Sequence, residues 1–192
     1  MACREVVLCD NSEEYVIKHI NSTEVPLYYS FPSPQEVIAD TSLLVDALKK
    51  LNLKSYVEQA IVQQYNEIIL YDAATFEERL LLAPQISIKL SPINKLPTII
   101  YPRFTPLMEE KEVWSKSERD CMIALGARFN ELHIPEKDYR DFLSSVSHFC
   151  DEYGLRADDI LLNPSNIGWH PILGLRIIDY GLCDDRNEVI QV

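Results

Sequence analysis

The stretch that most constrains this 192-residue chain lies near its end. It runs Asn163-Pro164-Ser165-Asn166-Ile167-Gly168-Trp169, then Leu175-Arg176-Ile177-Ile178-Asp179-Tyr180-Gly181. The residues up to Asn166 make a constrained polar loop, and Ile167 to Trp169 has strand character. His170 to Gly174 gives a tight return, and Leu175 to Ile178 a second, apolar strand. Asn166 and Asp179, thirteen positions apart, therefore leave the mouths of two adjacent strands as an amide and a carboxylate. Oxygen donors so delivered suit a hard cation such as Mg²⁺ seated on a phosphate. The same residues also fit a plain β-hairpin with an Asn turn and a strand-ending Asp.

With 47% hydrophobic and 25% charged residues, the chain has the composition of one compact domain or two small lobes. Its net charge of −12, with no run of Lys and Arg, argues against a nucleic-acid or anionic-membrane surface and for a protein partner. The five cysteines are odd in number and scattered, with no Cys-x-x-Cys. The four histidines show no His-Glu-x-x-His. No zinc site is expected, and reduced thiols suit the cytoplasm. Met1 to Val7 carry Arg4 and Glu5 and no signal-peptide run, and no segment is as long and apolar as a membrane span.

Taken in order, residues 5 to 20 predict a hairpin whose second strand, Tyr15 to Ile20, carries Lys18 in a β-branched run. A Pro- and Tyr-rich loop is expected over 24–35. Asp40 or Thr41 is placed to cap a helix whose apolar positions Leu43, Leu44, Val45, Leu48 and Leu51 recur at helical spacing. Ser55 with Glu58 predicts a capping box for a longer helix to about Ala73, burying Ala60, Ile61, Gln64, Ile68 and Leu70. Thr75 with Glu78 predicts another, for a short helix closed by Pro84. Ile86 to Leu90 and Thr98 to Tyr101 read as strands. Ser115 with Glu118 is expected to cap a helix with Cys121, Met122, Leu125 and Phe129 on its apolar face. Pro135 begins the next helix, in which Tyr139, Phe142, Leu143, Val146 and Phe149 repeat at three and four, and Gly154 ends it.

This order of strand Lys, helix Glu, strand, helices, Asn loop and Asp-Tyr-Gly resembles the protein-kinase-like superfamily over about residues 5 to 183. The resemblance implies an α+β fold, a minimal bilobal form with a small antiparallel sheet and a helical lobe. Residues 1–107 correspond to the first lobe, with a hinge near 101–107, and 108–192 to a truncated second lobe. It implies ATP and Mg²⁺ as cofactors. Lys18 takes the place of the phosphate-contacting lysine, and Glu67 that of its helix partner, so the two are expected at ion-pair distance. Tyr101 and Arg103 fall at the adenine-binding hinge, and Asn166 and Asp179 at the metal.

Three departures count against ordinary catalysis. Leu161 occupies the position of the catalytic aspartate, five residues before Asn166, and Asp159 is the nearest acid that could act as a displaced base. No Gly-x-Gly-x-x-Gly precedes Lys18. Too few residues follow Gly181 for an activation segment and the later helices that bind a peptide. Three functions stay open: a pseudokinase acting mainly by protein contact, a compact phosphotransferase using Asp159, and a nucleotide-independent interaction module.

Overall fold

The computed structural model describes residues 4–9, 12–21, 23–181 and 188–190, the side chain of Asp159 excepted. The chain is α+β with antiparallel sheets, and it divides into two compact units. The first comprises Met1–Ala74, Pro84–Arg103 and Gly181–Val192; the second comprises Thr75–Ala83 and Phe104–Tyr180.

In the first unit the β-branched pairs at Val6-Val7 and Val16-Ile17 build the hairpin β1 (Arg4–Leu8) and β2 (Tyr15–Ile20). Three helices follow: α1 (Pro34–Ala39), α2 (Ser42–Leu51) and α3 (Ser55–Ala73). Strands β3 (Ser87–Leu90) and β4 (Pro97–Pro102) complete a four-stranded sheet in the order β1-β2-β4-β3. Strand β2 is thus internal, with Lys18 opposite Val6 on one side and Ile99 on the other. Helix α3 is buried almost all round from Val57 to Leu70, as expected of a helix packed on more than one face.

Two boundaries differ from expectation here. The loop expected to run to residue 35 stops at Ser33, which caps α1. Its side chain accepts from the Glu36 amide while Glu36 reaches back to the Ser33 amide, with Pro34 in the first turn. Ser55 and Glu58 form no capping box. Asn52, in the left-handed conformation, stops α2, and Lys54 then caps α3 without a side-chain bond, leaving Ser55 as the first helical residue.

In the second unit, Thr75 and Glu78 make the expected capping box at α4 (Phe76–Arg79). That helix ends well before Pro84 because the next residues pair with a strand. Ile177 donates to the Leu81 carbonyl and accepts from the Ala83 amide. Strand β5 (Thr105–Pro106) precedes α5 (Glu110–Ser115), α6 (Glu118–Leu132), α7 (Glu136–Tyr153) and α8 (Ala157–Leu161). Ser115 closes α5 instead of capping α6. The cap is Ser117, which accepts from the Asp120 amide at 3.2 Å. Leu125 and Phe129 join Leu107, Ile134, Tyr139, Ile167 and Leu175 in the core, whereas Met122 is 65% exposed. Gly154, at φ 61°, ends α7 as expected. Strands β6 (Ile167–His170) and β7 (Gly174–Ile177) give a three-stranded sheet in the order β5-β6-β7.

Candidate functional site

Lys18, Glu67 and Tyr101 come together in the first unit. Lys18 Nζ lies 3.0 Å from Glu67 Oε1 and 5.1 Å from the centre of the Tyr101 ring. Lys18 is only 6% exposed and Glu67 not at all. A lysine on an internal strand would strand its charge in the core without such a partner, which is why helix and sheet must meet here in register. The second carboxylate oxygen, Oε2, accepts from the Tyr101 hydroxyl at 2.5 Å and lies 2.6 Å from Arg4 Nη2. The Arg4 Nε donates to Gln64 Oε1 at 2.8 Å, and Gln64 Nε2 donates to the carbonyls of Lys18 and Pro97. Each oxygen of Glu67 therefore meets a cation, and Gln64 ties α3 to both β2 and β4.

The family order pointed to Lys18 and Glu67 but left out Arg4, Gln64 and the side-chain role of Tyr101. Gln64 was placed on the buried side of its helix, and a buried amide must find partners. That is the one signal that could have brought it into the site. Arg103 is exposed, and its amide donates to the Glu14 carbonyl at 2.7 Å.

In the second unit the Asn163 side chain accepts from the Ser165 amide at 3.1 Å and from its hydroxyl at 2.6 Å. These bonds wind Pro164–Asn166 into a 3-10 turn. The Ile178 amide donates to the Asn166 carbonyl at 2.8 Å, extending the β6–β7 ladder by one step. Asn166 and Asp179, both half-buried, thus leave the same end of one hairpin. Tyr180 is fully buried, and its hydroxyl donates to the Ala83 carbonyl at 3.2 Å.

Leu161 closes α8 and lines a concavity of about 930 Å³ together with Met122, Leu125, Phe129, Leu143 and Leu162. Its side chain belongs to an apolar wall and offers no proton acceptor. The Asp159 backbone lies in α8, and its side chain falls outside the described residues. Cys150 is buried, and burial followed by the nearby Asp151 pushes its thiol up to about 12, so it stays protonated and unreactive. Among the described residues no helix is long and apolar enough to cross a membrane.

No protein-family model matches this chain, and comparison with curated proteins and with solved structures finds no match.

Proposed function

We propose that this chain is a minimal, degenerate protein-kinase-like domain that binds ATP with Mg²⁺ and acts mainly through contact with another protein. The reading is supported above all by the Lys18–Glu67 ion pair, an internal-strand lysine held at 3.0 Å by an acid of the long helix. In a kinase-like site such a pair fixes the lysine rotamer and keeps its ammonium on the α- and β-phosphates. Asn166 and Asp179 would hold Mg²⁺, and the chain around Tyr101 and Arg103 would meet the adenine. Leu161 in place of the general base sets this domain apart from an active kinase.

Thermal melting with ATP and Mg²⁺, singly and together, tests the reading. A ligand that binds the native state raises its melting temperature by mass action. Stabilisation is expected only with both present, and Asp179→Ala is expected to stay folded and lose it. An Asp179→Ala protein that still binds Mg-ATP as tightly as the parent removes the metal role. A parent that gains nothing from Mg-ATP leaves the nucleotide-independent interaction module.

No phosphoryl transfer to general protein substrates is expected. A positioned base contributes about 10²–10⁴-fold, and Leu161 cannot supply one. Leu161→Asp should gain at most weak autophosphorylation. Robust transfer by the parent, lost in Asp159→Asn but kept in Leu161→Ala, would make the protein an active phosphotransferase with Asp159 as its base.

A further inference from the structure

Asn66 is the residue beside Glu67 on α3, and it is 1% exposed. An amide buried in the middle of a helix is costly unless its donor and acceptor are both satisfied. Here they are satisfied by chain more than a hundred residues away. The Asn66 Oδ1 accepts from the Ile190 amide at 3.0 Å. Its Nδ2 donates to the Glu188 carbonyl at 2.9 Å and to the Gly181 carbonyl at 3.3 Å. The carbonyl of Glu188 and the amide of Ile190 flank Val189, so one side-chain amide grips the backbone on both sides of that residue. Val189 and Ile190 are themselves buried.

The seat thus has two components. The Asn66 amide recognises backbone, without regard to sequence, and the Val189 and Ile190 side chains are withdrawn from water. Glu67 shares the same helical turn as Asn66, and its carboxylate is held by Arg4, Lys18 and Tyr101. Whatever shifts or loosens α3 at Asn66 acts on Glu67 one residue away.

We propose that residues 188–190 form a strap whose docking on Asn66 sets the position of α3 and thereby seats Glu67 against Lys18. Docked, the strap supplies Asn66 with two backbone partners, the Glu188 carbonyl and the Ile190 amide, and buries Val189 and Ile190. Released, it opens that stretch of α3 to water and frees the Lys18 amine. This inference needs no nucleotide and stands or falls apart from the kinase-like reading.

The test is amide hydrogen exchange across α3 together with acylation of Lys18 in the full chain, without ATP. Ile190→Asp puts a charge at a buried apolar position, Ile190→Val keeps that position apolar, and Asn66→Ala removes the latch. In Ile190→Asp and Asn66→Ala, exchange over residues 60–70 is expected to rise about tenfold or more, the scale of one lost buried hydrogen-bond partner. Lys18 acylation is expected to rise with it. Exchange in α7 should stay unchanged, and Ile190→Val should match the parent. A folded Ile190→Asp protein with α3 and Lys18 as protected as in the parent overturns the proposal. So does a loosening spread equally over α3 and α7, which would mark a general loss of stability. Should Ile190→Asp not fold, Ile190→Ala carries the same readouts and the same two overturning outcomes.

Discussion

Glu67→Ala is expected to destabilise the protein by about 3–5 kcal/mol, the usual cost of removing one partner from a buried ion pair. The carboxylate is fully buried and serves Lys18, Arg4 and the Tyr101 hydroxyl together, so its loss leaves two cations and a hydroxyl facing an apolar gap. Lys18→Met should cost less, because Glu67 keeps Arg4 and Tyr101 and the methionine fills much of the lysine stem's volume. Glu67→Gln should fall between them, since an amide still accepts from Tyr101 but cannot balance the charges. Buried pairs are little screened, so this order should survive added salt. Urea unfolding of the three variants measures it. A Glu67→Ala protein within 1 kcal/mol of the parent would show that the carboxylate is not the hub of the cluster.

Gly181→Ala and Gly126→Ala should move stability in opposite directions. A Cβ on Gly181 would sit 2.2 Å from the Gln63 carbonyl oxygen, 2.9 Å from Gln63 Cγ and 2.9 Å from Glu67 Cγ. The closest of these is helix backbone, which cannot retreat without breaking α3, so the Gly181 segment itself must be driven off. The loss should reach or exceed the roughly 1–3 kcal/mol typical of overpacking. Gly126 lies inside α6 with nothing within 4 Å of its missing Cβ. Alanine there relieves the backbone entropy of a helical glycine and should stabilise by about 0.5–1 kcal/mol. Chemical denaturation of both variants decides the matter, and a tolerated Gly181→Ala would mean that the segment does not lie against α3.

The parts of this structure that were legible in the sequence are those written in short-range patterns. Thr75 with Glu78 gave away its cap, Gly154 its helix end, and the spacing of Leu125 and Phe129 their inward face. The meeting of Lys18 with Glu67 was legible only through the order of elements, since neither residue is unusual where it stands. Arg4 carries no motif or spacing that ties it to Glu67, and only the fold brings the two together. Tyr101 was placed at a hinge, while its hydroxyl is spent on Glu67. Asn66 had no local signal at all, because its partners lie 115 to 124 positions along the chain. Met122 was misjudged for a different reason. The inward stripe of α6 is narrow, centred on Leu125 and Phe129, and Met122, one turn earlier, is left 65% exposed. The start of α1 was in plain view as Ser33, Pro34 and Glu36 but was masked by the prolines and tyrosines before it.

The route of the chain through its two units carries a consequence for synthesis. The first unit draws on Met1–Ala74, Pro84–Arg103 and then Gly181–Val192, and the whole of 104–180 belongs to the second. At a ribosomal rate of about 5–20 residues per second, translating 104–187 takes roughly 4–17 s. Throughout that interval α3 exists without Glu188 and Ile190, and the Asn66 amide must make do with water. The second unit needs nothing beyond Tyr180 and can finish first. Residues 188–190, which complete the contacts of Asn66, are therefore made only after the whole of the second unit.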